Sequence, residues 1–245
     1  MIDEPYRWLE AVANRREYIR DQLKGATPVL AFSRPEGILL VGVGSGNSKV
    51  FEIYDRLALA ALGHPVDIEK IRQTVIEAAH VEGFTRSPED VTLRRLLNFS
   101  LGPALKTSFE QILSAPIIVE CVFAELGPKP ANDVLARVNF DGTYRFEDKG
   151  VVVVHTDHAD ETAAATWLRE QLNDEMGVGA VRQLALAAWR ALTADAPFSP
   201  PVTADGAGER ETPADLGGRI IECALLDRRT SARVKYRGLE KAELS

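Results

Sequence analysis

The spacing of apolar residues changes several times along the chain, and each change marks an element. Trp8, Val12, Ile19 and Leu23 recur at helical spacing, with Asp3 as a cap and Pro5 in the first turn. Residues 3–24 are therefore predicted as an amphipathic helix that Gly25 ends. The apolar runs TPVLAF and GILLVGV, split by SRPE, read as a hairpin. KVFEI and LALAALG, joined by the polar residues 54–56, read as another. Ile68, Ile71, Val75 and Ala79 mark a helix over 66–83, and a longer one is predicted over 90–114. Strands return in PIIVECVFAELG, DVLARVNFD, GTYRFED and GVVVVHT, with Asp141-Gly142 as a hairpin signal. Helices are expected over 159–173 and 179–193. Residues 195–218, rich in Pro, Gly, Ala and acids, read as a mobile loop. RIIECALLD and SARVKYR form a last hairpin ahead of a short tail helix.

Strands come as hairpins in blocks and helices come in pairs, which excludes a strand–helix alternation of the doubly wound kind. The order predicts an α+β fold: a four-layer αββα sandwich of two antiparallel sheets covered by helix pairs, with an extra N-terminal helix. At 245 residues and 45% hydrophobic, the chain suits one large domain over 1–245. A net charge of −7 argues against a nucleic-acid partner. No apolar run reaches the roughly 18 residues of a membrane span. The charged N-terminus does not resemble a signal peptide, so a cytoplasmic location away from membranes is expected. Cys121 and Cys223 sit in apolar runs and read as core thiols.

The stretch LLVGVGSGNSKV invites comparison with a phosphate loop, and the comparison fails. A phosphate loop sets Gly directly before Lys and Ser or Thr after it, whereas Ser48 precedes Lys49 and Val50 follows. The segment also runs from strand to strand, so no helix N-terminus is available to hold a phosphate. A dinucleotide fingerprint fails on spacing. HTDHADE offers His155, Asp157, His158, Asp160 and Glu161, which could ligate a divalent metal. The competing and preferred reading is a strand end with Asp157 capping the next helix. No metal or cofactor is assigned. Trp8, Trp167 and Trp189 are expected to pack on neighbouring layers or subunits. The pairs Arg15-Arg16, Arg94-Arg95 and Arg228-Arg229 are expected to be solvated or to touch other subunits.

GILLVG, SKVFEIYDRLALAALG and the downstream VECVFAEL and VNFDGTYRFED, in this element order, resemble α-type subunits of the bacterial 20S proteasome over about residues 3–239. KVFEIYDRLALAALG is the most specific segment. The resemblance implies the αββα fold of N-terminal nucleophile hydrolases and a non-catalytic role. A catalytic β-type relative exposes a threonine at the place Ala26 occupies here, and Thr27 is one residue late and followed by Pro28. An acid expected at the end of the second strand is missing from VGVGSG.

The family then implies several partners. They are neighbouring α subunits in a homo-heptameric ring, a ring of β-type subunits, a AAA ATPase activator and unfolded, tagged protein substrates. It implies that Lys49 receives an activator's C-terminal carboxylate, with Gly25 allowing close approach and His64 nearby. Residues 1–4 are expected to be too short to seal an axial pore. The alternatives are a self-processing threonine hydrolase using Thr27, or a ring-forming scaffold outside proteolysis.

Overall fold

A computed structural model describes residues 4–201 and 218–239. Helix α1 (Glu4–Leu23) leads into β1 (Val29–Arg34), β2 (Gly37–Gly44), β3 (Val50–Tyr54) and β4 (Leu57–Gly63). Helix α2 (Pro65–Thr85) follows, then α3 (Leu93–Leu96), a π-helical turn (Leu97–Leu101) and α4 (Gly102–Glu110). Next come β5 (Val119–Glu125), β6 (Val134–Val138), β7 (Tyr144–Glu147), β8 (Val151–Val154), α5 (His158–Gln171) and α6 (Val178–Leu192). Strands β9 (Ile220–Asp227) and β10 (Tyr236–Gly238) close the order. Asp3, the predicted tail helix and most of the 195–218 segment lie outside the described residues.

The strands form two five-stranded antiparallel sheets, ordered β10–β9–β2–β1–β8 and β3–β4–β5–β6–β7. Alternation along each strand divides its side chains between two cores. In β1, Val29 and Ala31 meet Ala60, Val122 and Ala124 of the facing sheet, while Leu30 and Phe32 point outward. Helices α5 and α6 cover that outer face through Ala164, Leu168, Val181 and Ala185. On the other side Ile68, Ile71, Val75 and Ala79 of α2 bury against Leu59, Cys121 and Phe123. The expected four layers are present, and both cysteines are buried and outside any disulfide.

Helix α1 is the extra element. Only its second half joins the sandwich: Ile19 and Leu23, each 1% exposed, enter the core between the sheets, whereas Trp8 is 50% exposed. Of the tryptophans expected to pack on neighbouring layers or subunits, Trp167 and Trp189 are buried within the chain, and Trp8 is exposed on it. Arg15 fastens the helix, donating to the carbonyls of Ser114 (2.8 Å) and Ser108 (3.0 Å) at the end of α4. Arg16 pairs with Asp141 at 2.8 Å.

Two expectations need correction. The segment 90–114 is not one regular helix, because Pro103 has no N–H to give and the Gly102 N–H reaches back five residues to the Leu97 carbonyl. The paired arginines are mostly ties within the chain: Arg94 stacks on Phe146, Arg95 bonds Glu82 at 2.7 Å, and Arg228 bonds the buried Asp133 at 2.8 Å. Of the 195–218 segment, Phe198 is held, its N–H donating to Asp160 at 2.9 Å and its ring lying against Trp167.

One end of the inner core is ionic. Arg137 pairs in register with Val122, and Glu120 with Leu62, so both face the other sheet. Arg137 bonds Glu120 at 2.8 Å and Glu161 at 2.9 Å, and all three are at least nine-tenths buried. Burial pushes the Glu120 carboxyl upward, against the pull of Arg137. Removing one partner strands the others, at about 3–5 kcal/mol. Arg137→Met should therefore lower the unfolding free energy by about that amount in urea titrations. Replacing Glu120 and Glu161 by Leu as well should recover most of the loss, and a single variant of native stability would show that the cluster is solvated.

Candidate functional site

The candidate site lies where β2, β3 and β9 meet at one end of the sandwich. Along β2 the inward positions are Ile38, Leu40, Gly42 and Gly44. The last two leave a trough, and the stem of Lys49 fills it. A methyl group on Gly42 would stand 3.0 Å from Lys49 Cβ, and one on Gly44 would stand 3.4 Å from Lys49 Cε. The glycine spacing of two is thus a strand period, clearing one face of a strand for a lysine that crosses from the other sheet.

Lys49 is fixed at both ends. Its backbone N–H donates to Glu222 Oε2 at 2.7 Å, and the Val50 N–H donates to the same oxygen at 3.2 Å. Glu222 pairs in register with Gly42 and so shares the inner face. The ammonium donates to the carbonyl of Thr27 at 2.7 Å and to its Oγ1 at 2.6 Å. The Thr27 hydroxyl in turn donates to the Val43 carbonyl. An ammonium carries three N–H donors, so among the described residues one remains uncommitted. The side chain is half-buried, and burial lowers its pKa to about 8; Glu222 opposes the shift and the Arg219 charge adds to it. Tyr236 closes the inner side by donating to the Val50 carbonyl at 3.3 Å, its own hydroxyl pushed up to about 12 by burial and by Glu222 and Glu52.

Gly25 ends α1 with φ +82°, the left-handed conformation that glycine adopts without cost, and an added Cβ there meets nothing within 4 Å. Two residues later stands Thr27. Thr27, and not Ala26, touches Lys49. His64 lies just beyond the Gly63–Val119 pair, as the exposed N-cap residue of α2; its side chain makes no capping bond, while its N–H donates to Ile118 at 2.9 Å. The structure brings Lys49 and Thr27 together and leaves His64 in solvent with no hydrogen bond to Lys49. In HTDHADE, Asp157 caps α5 by accepting from Ala159 and Asp160, and Glu161 turns inward to Arg137. Thr27, Glu222 and Tyr236 were not singled out from the sequence as parts of this site. Glu222 carried a signal, an acid inside the apolar run IIECALL.

No family model matches the chain. It is 32% identical over 245 residues to the proteasome subunit alpha of Pseudarthrobacter chlorophenolicus, covering 96% of this chain and 94% of that relative. The chain belongs to the proteasome α-subunit family. It is also 30% identical over 238 residues to the proteasome subunit alpha of Streptomyces coelicolor, covering 96% of this chain and 85% of that protein. For the one from Streptomyces griseus the identity is 29% over 238 residues, with 96% and 80% covered.

The lysine of this α subunit has a measurable signature. An unfolded Lys49 titrates near 10.5 and the folded one at about 8, so between these values the unfolded chain binds more protons. The contribution of Lys49 to stability is flat below pH 8 and rises with pH from about 8 to 10.5. The native chain should therefore gain more stability than Lys49→Met between pH about 7.5 and about 10, measured by urea unfolding. Equal gains would mean that Lys49 is not desolvated.

Proposed function

We propose that the chain is a non-catalytic α-type subunit of a 20S proteasome core acting in the cytoplasm. Its copies form a homo-heptameric ring that caps β-type subunits and gates the passage of unfolded protein to their threonine active sites. The ring docks a AAA ATPase activator through the activator's C-terminal tails. One observation carries this reading: the half-buried Lys49 ammonium holds two donors on Thr27 and, among the described residues, keeps a third unspent at the open end of the sandwich. A carboxylate is the partner that such a point charge lacks. In this reading Gly25 and His64 belong with Lys49 to the surface that receives the tail. Exposed Trp8, Leu9 and Tyr18 on α1, with Phe84 on α2 and Phe99 on the π-helical turn, are apolar surface of the kind that neighbouring subunits cover.

The non-catalytic assignment is supported by Ala26, which has no hydroxyl. Thr27 has one, but its nitrogen is an amide in a chain that continues from α1, and its hydroxyl is given to Val43. The 2.6 Å contact between Lys49 and Thr27 Oγ1 is the feature that favours the threonine-hydrolase alternative. Intact mass separates the two, since self-processing at Thr27 removes the first 26 residues.

In barrels co-assembled with a β-type partner, Lys49→Ala should weaken each docked tail by on the order of 2–5 kcal/mol. Because several tails engage one ring, ATPase-dependent degradation of a folded substrate should nearly vanish. Basal hydrolysis of small peptides should persist. Lys49→Arg, with the charge kept and its shape changed, should give partial activity. Degradation by the Ala variant at the native rate would falsify docking at Lys49, and loss of basal hydrolysis as well would make the lysine a structural one.

A further inference from the structure

Among the described residues, the Lys49 ammonium is hydrogen-bonded to one residue only. It gives one N–H to the Thr27 carbonyl at 2.7 Å and another to the Thr27 hydroxyl at 2.6 Å. Two acceptors on one residue stop rotation about the terminal C–N bond, so the third N–H keeps one direction. Thr27 is itself held in place. Pro28, buried after it, confines residue 27 to extended backbone and so sets its carbonyl. The side chain branches at Cβ and has few rotamers. Its hydroxyl donates to the Val43 carbonyl, which turns the oxygen lone pairs to the lysine. Thr27 precedes the Val29–Gly42 pair by two residues, and Gly44 follows that pair by two, where an added Cβ would meet Lys49 Cε.

The charged neighbours do not hold the ammonium. Glu222 of β9 gives Oε2 to the backbone N–H groups of Lys49 and Val50, and Arg219 lies just before β9. Tyr236 of β10 donates to the Val50 carbonyl, with Glu52 of β3 near it.

We propose that Thr27 is the positioning residue of the Lys49 site, its carbonyl and hydroxyl aiming the third N–H at an incoming C-terminal carboxylate. This rests on Lys49 as the docking ammonium. Lys49 decides whether a tail binds; the Thr27 hydroxyl decides how well the charge is presented and over what range of pH. A hydrogen bond to the charged form favours that form, so the hydroxyl keeps the lysine protonated to higher pH than burial alone would allow.

The test is fluorescence anisotropy on the assembled particle, with a short labelled peptide ending in a free carboxylate and the same peptide amidated. Thr27→Val keeps the branched shape and removes the hydroxyl. At pH about 7.5 it should weaken binding of the free acid about ten-fold. On the native particle that binding should fall as pH rises through about 8, and in Thr27→Val the fall should come at lower pH. Thr27→Ser restores the hydroxyl and should return affinity and pH profile close to native. In a Lys49→Met background Thr27→Val should cost no further affinity, because the hydroxyl acts through the ammonium. Urea unfolding of the chain alone gives a measurement independent of ring assembly. There the stability that Lys49 adds over Lys49→Met with rising pH should set in at lower pH when Thr27 is replaced by Val. A native affinity and pH profile in Thr27→Val, or a loss that Thr27→Ser does not restore, overturns the role of Thr27 while the Lys49 reading stands. An amidated peptide that binds the native particle as tightly as the free acid overturns the Lys49 reading itself.

Discussion

Two apolar sheet faces packed together must be closed at their open end, and in this chain a helix closes them. Ile19 and Leu23 of α1 supply the closing side chains, about 1.5–3 kcal/mol of burial each. The acceptors of the Lys49 ammonium are placed by the way that helix ends. Arg15 fixes α1 against the end of α4, Gly25 turns the chain with a positive φ, and two residues on Thr27 arrives with both oxygens facing Lys49. The ammonium is thus oriented by a residue that the helix delivers. A change in α1 that shifts Gly25 moves the acceptor of a charge 22 residues further along.

The glycines show how the same letters can serve different physics. In a phosphate loop, glycines bring backbone N–H groups to an anion at a helix N-terminus. Here Gly42 and Gly44 lie in a strand, two apart, on its buried face, and the space they leave is taken by methylenes of Lys49. The cation crosses from one sheet to the other with its stem packed and its head at the edge of water, the usual arrangement of a snorkelling lysine. What differs is the head, which meets Thr27 and not solvent alone, and which burial and Arg219 together make easier to deprotonate.

Much of the fold was legible because local rules and tertiary packing agree. The four apolar positions that mark α2 are all buried, and the hairpin strands sit within a few residues of their expected bounds. The failures have a common cause, which is that the deciding contact is remote in sequence or replaces a local rule. The 90–114 segment keeps its period while Pro103 breaks the hydrogen-bond ladder. The arginine pairs look like solvated charge until their partners, such as Asp133 for Arg228, are seen. Of the site, Lys49 was legible from its strand-to-strand context and the family resemblance. Glu222, 173 residues away from it, could be found only through the β2–β9 register.

The same geometry weighs the two uses to which a lysine beside a threonine can be put. An N-terminal nucleophile needs its own free amine, which Thr27 would gain only by cleavage after Ala26. That cleavage would release α1 from its covalent tie and with it the burial of Ile19 and Leu23, the Arg15 bonds to α4 and the Arg16–Asp141 pair. Closing the core and exposing the amine are therefore opposed demands on one segment, and the folded chain meets the first. The Thr27 hydroxyl points the same way: it donates to a strand carbonyl and accepts from the lysine, so its proton is held away from the amine that would have to take it. For the lysine the consequence is reversed. Held by acceptors that do not neutralise it, the ammonium stays charged at neutral pH, about one unit below its titration at about 8, and among the described residues its remaining N–H has no acceptor.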